Sequence, residues 1–189
     1  MTQPPLSAKP PIQTRAQIRK TLLVQRRTTA AQQRHQWDEI IASRVIAWCQ
    51  QQKPISLGVF WPIQAEPDLL SCYPKLQNLG IQLALPLVQS KEQALVFLSW
   101  APGDSMSVDE YAIPVPAQRD RIVTPAALLI PCLGFNANNY RLGYGGGYYD
   151  RTLAVAPRPF ALGIAYLQGQ ANFAAERHDL PMDLIITEK

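Results

Sequence analysis

Short apolar runs alternating with helical stretches from Pro54 onward predict an α/β protein, a three-layer α/β/α sandwich built on a mainly parallel sheet. Two further observations support that class. The length of 189 residues is that of one domain able to bury a sizeable core, and the chain shows no internal repeat. A single domain over 12–189 is expected, preceded by a proline-rich tail at 1–11 that is expected to be disordered.

The elements follow in order. Ile12 to Arg27 reads as a first helix, and Thr29 with Gln32 three residues on resembles a capping box that opens a second, running towards Gln52. On that helix Trp37, Ile40, Ile41, Val45 and Trp48 make an apolar stripe, which assigns both tryptophans to the core. Then come a strand at Ile55–Trp61, a helix at Pro67–Asn78, strands at Ile81–Val88 and Leu95–Trp100, and a loop over 101–125. Ala126 to Phe135 is an almost unbroken apolar run bounded by Pro125 and by the polar cluster at 136–139, and reads as a buried strand over 126–133. Tyr149, Leu153 and Ala156 fall at helical spacing until Pro157 and give a helix at 148–156. Strands at Phe160–Tyr166 and Leu184–Thr187 complete the sheet.

Composition narrows the function classes. A hydrophobic content of 47% argues against disorder, and the net charge of +4 suits anionic partners. The basic residues are scattered, however, so no nucleic-acid partner is expected. Their one concentration is Arg15, Arg19, Lys20, Arg26, Arg27 and Arg34, read as the solvated face of a helix for all but Arg15 and Arg19. Cys49, Cys72 and Cys132 form no CxxC pair and leave an odd count, which points to a reducing cytoplasm rather than to a disulfide framework or a cysteine zinc site. There is no signal-peptide pattern and no stretch of ~18 apolar residues, so neither secretion nor a membrane partner is expected. The expected form is a monomer.

The most informative stretch is Arg141-Leu-Gly-Tyr-Gly-Gly-Gly-Tyr-Tyr-Asp-Arg151, four glycines between two arginines, ending on an aspartate. Glycine admits φ > 0 and close approach to the main chain, at an entropic cost that a plain connector avoids. A strand, a glycine loop and a helix in succession can cradle phosphate with free backbone N–H groups. Arg141 and Arg151 would add charge-assisted bonds, and Asp150 is a hard oxygen ligand suited to Mg²⁺. A Walker A loop is excluded because no lysine lies between Lys91 and Lys189, and a dinucleotide fingerprint would need glycine where Tyr148 stands. A glycine-rich turn without a ligand stays open on spacing alone.

Pro131-Cys-Leu-Gly-Phe-Asn136 followed by Asn139-Tyr-Arg-Leu-Gly-Tyr-Gly-Gly-Gly-Tyr-Tyr-Asp150 resembles the signature of the 5-formyltetrahydrofolate cyclo-ligase family, also called 5,10-methenyltetrahydrofolate synthetase. Arg15–Lys20, Phe60–Glu66 and His178–Glu188 are similar to further segments of that family, so the resemblance spans nearly the whole chain. It implies an ATP-driven closure of 5-formyltetrahydrofolate to 5,10-methenyltetrahydrofolate, with Mg²⁺ as cofactor and ADP and phosphate released. In that reading Arg15, Arg19, Arg141 and the loop Gly143, Tyr144, Gly145, Gly146, Gly147, Tyr148 and Tyr149 bind ATP. Asp150 and Asp183 hold the metal. Glu66 grips the donor-rich edge of the pterin, with Trp61, Trp100 and Tyr149 as aromatic walls. The chain departs from the family pattern at Cys132, where glycine is usual, at Asn136, where a carboxylate is usual, and at Arg15, where lysine is common. Cys132 within an apolar strand reads as inert core, and His178 with only His35 elsewhere makes no zinc site. Two alternatives stand beside this reading: a phosphotransferase acting on another substrate, and a basic RNA-binding module.

Overall fold

The structure, a computed structural model, describes residues 13–189; the tail expected at 1–11 lies outside the described residues. In chain order the helices are α1 (Arg15–Thr28), α2 (Ala31–Gln52), α3 (Tyr73–Asn78) and α4 (Tyr148–Leu153). The strands are β1 (Ser56–Gly58), β2 (Gln82–Leu87), β3 (Val96–Ser99), β4 (Met106–Val108), β5 (Pro114–Pro116), β6 (Ile122–Val123), β7 (Ala127–Pro131), β8 (Gly134–Phe135), β9 (Arg141–Leu142), β10 (Phe160–Ile164) and β11 (Leu184–Ile186). Seven of them form one sheet in the order β11-β10-β7-β1-β2-β3-β6. From β11 to β2 neighbours run parallel, and β3 and β6 add an antiparallel edge.

Period-two alternation sends successive strand residues to opposite faces, and both faces are covered. On one, Leu57, Leu83, Leu129 and Leu162 pack with Ile41 and Val45 of α2 and with Tyr73 and Leu76 of α3. On the other, Ala84, Leu128, Ile130 and Ala161 meet Leu153 of α4 and Met182. Each fully buried Leu or Ile contributes about 1.5–3 kcal/mol. The expected mainly parallel α/β sheet is therefore what the apolar runs build. Helix α1 lies apart from both faces and packs Ile18 and Leu22 against Leu133, Leu142 and Phe173. This places it beside the loops at the carboxyl ends of the strands, where open α/β sheets bind ligands.

Several boundaries differ from the sequence expectation. The capping box belongs to α1: Thr14 accepts from the Gln17 backbone N–H while the Gln17 side chain accepts from Thr14. The Thr29 hydroxyl instead donates back to Gln25 O at 2.9 Å, so it closes α1, and α2 starts at Ala31 after Ala30, which provides no side-chain cap. Ile40 is exposed, and the buried stripe of α2 runs through Asp38, Ile41, Ala42, Val45 and Cys49. The helix expected from Pro67 begins only at Tyr73, since the Asp68 carboxylate accepts the Leu70 N–H at 3.0 Å and holds a turn that competes with helix. The region 101–125 is not a bare loop: it carries the β4–β5 hairpin and edge strand β6.

The long apolar run also breaks. β7 stops at Pro131, and β8 leaves the main sheet to pair with β9 as a separate ribbon. Buried Asn136 locks that ribbon's turn, its Oδ1 accepting the Asn138 and Tyr140 N–H groups and its Nδ2 donating to Phe173 O, each at 3.0 Å. A carboxylate there would lose the donor half of that arrangement, which gives the departure at Asn136 a structural role.

Replacing Thr14 with Ala removes the α1 cap, a loss of about 1 kcal/mol that lowers Tm by roughly 2–4 °C for a domain of this size. A thermal melt followed by circular dichroism measures it. An unchanged Tm would mean that packing of Ile18 and Leu22 alone holds the first turn.

Candidate active site

The glycine loop is clasped at its two ends by an ion pair. Arg141, the first residue of β9, is buried, and its Nη2 lies 2.8 Å from Oδ2 of Asp150 in α4. The guanidinium also lies 5.8 Å from the ring centroid of Tyr149, while Asp150 Oδ1 accepts the Leu180 N–H at 3.2 Å. Between the clasped ends the backbone turns through positive φ at Gly145 (+100°) and Gly147 (+66°), conformations that favour glycine.

Two more arginines tie down loop carbonyls. Arg19 Nε donates to Gly143 O at 2.9 Å, with its guanidinium against Gly145. Arg151 Nη2 donates to Gly146 O at 2.7 Å, and its Cζ lies 4.9 Å from the Tyr148 ring centroid. Helix α4 has only six residues, so its dipole is small. The positive character of the loop comes from the three arginines. The Tyr148 hydroxyl lies 2.9 Å from that of Tyr111, which the β4–β5 hairpin delivers; reading 101–125 as a bare loop hid Tyr111.

Glu66 sits on a tight turn over the strand ends. The Glu66 N–H donates to Ile63 O at 2.9 Å, and Gln64 and Ala65 between them have φ of +52° and +58°. Two successive non-glycine residues with φ > 0 are costly and gather where a side chain must be aimed. The turn aims Glu66 inward: it is 4% exposed, with Oε2 accepting the Ile63 N–H and Oε1 the Tyr144 hydroxyl, both at 2.9 Å. Burial raises its pKa from the ordinary 4.5 to about 6, opposed by the Ile63 N–H, the Arg26 charge and the Tyr144 hydroxyl. It is neither exposed nor at a helix start.

Tyr144 joins the two halves, since it belongs to the glycine loop and its hydroxyl reaches Glu66. The same hydroxyl accepts from Nη2 of Arg26. Arg26 is 4% exposed, which corrects its assignment to a solvated helix face. The signal was present in the spacing: Ile18, Leu22 and Arg26 follow one another at i, i+4, i+8 and share the buried side of α1. Lys20 and Arg27 are exposed as expected, and partly buried Arg34 donates to Thr29 O.

The remaining candidates are placed as follows. Arg15 Nη1 contacts Asp179 at 2.6 Å and Ala174 O at 3.1 Å, and its Nε lies 3.4 Å from Glu176, so its charge orders the 173–179 segment. Asp183 pairs with Arg158 at 2.8 Å and accepts the Ala161 N–H at 2.7 Å. Trp100 is buried edge-on against Tyr73 and Trp61, with centroids 5.8 and 6.3 Å away, while Trp61 keeps part of its surface open. Cys132 is buried with its thiol pushed up to about 12 by desolvation, the state of an inert core cysteine. His178 is exposed. Among the described residues no group of three or more His, Cys, Asp or Glu forms a metal-binding cluster. Of the two aspartates singled out as metal ligands, Asp150 is held by Arg141 and the Leu180 N–H and Asp183 by Arg158, so a cation here would need most of its oxygen ligands from elsewhere.

Comparison with known proteins now bears on this geometry. The profile of the 5-formyltetrahydrofolate cyclo-ligase family matches residues 11–188. The chain belongs to that family. A 5-formyltetrahydrofolate cyclo-ligase of Mycoplasma pneumoniae is 29% identical over 175 residues, covering 91% of this chain and 97% of the relative. One from Haemophilus influenzae is 27% identical, covering 92% and 98%. The solved 5,10-methenyltetrahydrofolate synthetase of Aquifex aeolicus superposes with a TM-score of 0.80 at 25% identity, covering 93% of this chain and 90% of that one. The Mycoplasma pneumoniae synthetase gives 0.75 at 26%, covering 94% and 100%. The family is one of ligases acting on a folate, and the α/β fold agrees with its solved members.

The raised pKa of Glu66 carries a sign. A carboxyl group with a raised native pKa stabilises the fold below its unfolded value and loses that contribution as pH rises through its native value. From 4.5 to about 6 the loss is about 2 kcal/mol at most. Urea melts at pH 4.5, 6 and 7.5 should show wild type losing stability relative to Glu66→Gln as pH rises, with the difference constant above about pH 7. A difference that moved the opposite way would show that Glu66 is ionised and stabilised by its partners.

Proposed function

We propose that this cyclo-ligase family member closes 5-formyltetrahydrofolate to 5,10-methenyltetrahydrofolate at the expense of Mg-ATP, acting as a monomer in a reducing cytoplasm. The observation that carries the reading is the meeting of an arginine-braced glycine loop with a buried carboxylate through one hydroxyl, that of Tyr144. Such a site has an anion-binding half and a half that reads neutral hydrogen-bond donors, as a nucleotide triphosphate and a pterin together require. A phosphotransferase on an unrelated substrate leaves Glu66 without a task. An RNA-binding surface would leave its arginines free, whereas Arg15, Arg19, Arg26, Arg141 and Arg151 are all engaged within the chain.

The chemistry follows from leaving-group ability. A formamide oxygen leaves poorly, and transfer of the γ-phosphoryl group to it, with release of ADP, turns it into a phosphate. N10 then adds to the activated carbon, its proton is lost, and phosphate departs to leave the N5–CH–N10 bridge. Charge develops on the transferred group and the ADP, so the protein's task is positioning and neutralisation. Arg19 and Arg141, with the Gly143–Tyr149 main chain, hold the triphosphate. Arg15 lies one turn before Arg19 and reaches the phosphates on release from Asp179. Asp150, and Asp183 if released from Arg158, would hold a magnesium ion, which would supply charge neutralisation at the phosphates. Glu66 takes the pterin's donor edge, with Trp61 and Tyr149 as walls and Trp100 behind Trp61.

The direct test mixes purified protein with 5-formyltetrahydrofolate and Mg-ATP. Near-ultraviolet absorbance of the methenyl product should rise in step with ADP. Folded protein at saturating substrates that gives no absorbance change would refute the assignment.

Glu66→Gln keeps the side-chain size and removes the charge. The dissociation constant for 5-formyltetrahydrofolate should weaken about ten- to a hundredfold, the value of a charge-assisted bond, with ATP binding nearly unchanged. Wild-type folate affinity should also fall as pH drops below about 6, because the protonated acid no longer accepts two donors, and the variant should lack that dependence. Loss of ATP affinity with folate affinity intact would place Glu66 on the nucleotide side.

A further inference from the structure

Arg26 has a task that the fold alone does not give it. Its Nε donates to Gln64 O at 3.1 Å, which braces the strained turn, and its Nη2 donates to the Tyr144 hydroxyl. Its Nη1 is buried and has no hydrogen-bond partner among the described residues. An unpaired guanidinium nitrogen in a buried position is costly, and such a donor is completed by a water, an ion or a ligand. Arg26 and Glu66 meet at one atom, because the Tyr144 hydroxyl accepts from the arginine and donates to Oε1 of the carboxylate. The site therefore sets an anionic acceptor and a cationic donor side by side.

That arrangement matches one edge of a pterin. Along it lie the 2-amino group, N3–H and the 4-oxo oxygen: two donors and then an acceptor. A carboxylate satisfies the two donors and leaves the carbonyl needing a donor of its own, since a buried unpaired carbonyl is disfavoured. We infer that Nη1 of Arg26 donates to the 4-oxo oxygen of the bound folate, so that Arg26 and Glu66 together read the order donor, donor, acceptor. This rests on the proposed folate substrate and adds to it a residue that discriminates 4-oxo from 4-amino pteridines. In a 4-amino pteridine N3 loses its hydrogen and meets Glu66 as an acceptor while the 4-position becomes a donor pointed at the guanidinium, and a site built for one hydrogen-bond polarity rejects the other at both residues.

The test is a cycle of two ligands and two proteins, read by equilibrium titration. The ligands are 5-formyltetrahydrofolate and its 4-amino counterpart, and the proteins are wild type and Arg26→Gln. Arg26→Gln should weaken the 4-oxo ligand about ten- to a hundredfold, as expected for a lost charge-assisted bond, and should leave the 4-amino ligand unchanged or bound more tightly. ATP affinity should stay the same. Equal weakening of both ligands would overturn the inference and reduce Arg26 to bracing the turn. If the variant does not fold, infrared difference spectra of wild type with ligand carrying ¹³C at C4 decide the matter. The C4 carbonyl stretch should fall in frequency on binding, and an unshifted or raised band would overturn the contact. Wild type that neither binds nor turns over 5-formyltetrahydrofolate would instead remove the substrate reading itself, a result separable from failure of Arg26 alone.

Discussion

The Arg141–Asp150 ion pair is the constraint on which the site depends. A stretch holding four glycines has little conformational preference of its own, and its entropy on ordering has to be offset from elsewhere. The pair joins the first residue of β9 to the first turn of α4 and closes the loop at both ends with one contact of 2.8 Å. A buried pair of this kind adds little net stability, yet removal of either partner is strongly destabilising because the other is left uncompensated. Its value here is positional. With both ends fixed, Arg19 and Arg151 each need to hold only one carbonyl to define the path between them.

The same closure sets where Tyr144 stands. Much of its surface is open to solvent, yet its hydroxyl lies 2.9 Å from a carboxylate that is almost fully buried. Tyr144 is thus the physical link between the flexible, glycine-rich half of the site and the rigid half built on the strand ends. On the rigid side the cost of a buried carboxylate is met in part by the Ile63 N–H, by Tyr144 and by the Arg26 charge, but not fully, and the pKa stays raised. Beside it Nη1 of Arg26 is left without a partner among the described residues, and a buried donor of that kind is completed by a water, an ion or a ligand.

Much of the fold was legible because it rests on local pattern. The apolar runs at β2, β7 and β10 exist for both-face burial in a mainly parallel sheet, and their sequence shows it directly. What misled were features decided by competition between neighbouring groups. Thr29 and Gln32 have the letters of a capping box, but the hydroxyl of Thr29 found the nearer carbonyl of Gln25. The 67–78 helix lost its first turns to an aspartate that bonds its own local backbone. The β8–β9 ribbon, held by Asn136, depends on Phe173, thirty-seven residues away, which no local pattern reveals. Within the site, the glycine loop was visible from composition and chemistry. The burial of Glu66 was not, since it follows from a turn with two positive-φ residues that carry no glycine to announce it.

Arg26 shows how charge type can mask periodicity. Its spacing from Ile18 and Leu22 marks the buried side of α1, and only its charge suggests solvent. Arginine suits such a position because its stem packs while its planar head distributes several donors among different partners. The same holds for Arg141, which offers Nη2 to a carboxylate and its face to a tyrosine ring. Lysine has three donors on one compact atom, so it cannot reach partners spread around a planar fork or lay a flat face on a ring. The positive charge of the chain is thus prepositioned around the strand ends by contacts with carbonyls, carboxylates and rings. For Arg19, Arg26 and Arg141 that placement exists before any ligand arrives, and charges fixed in advance act on anionic groups without the cost of reorienting them.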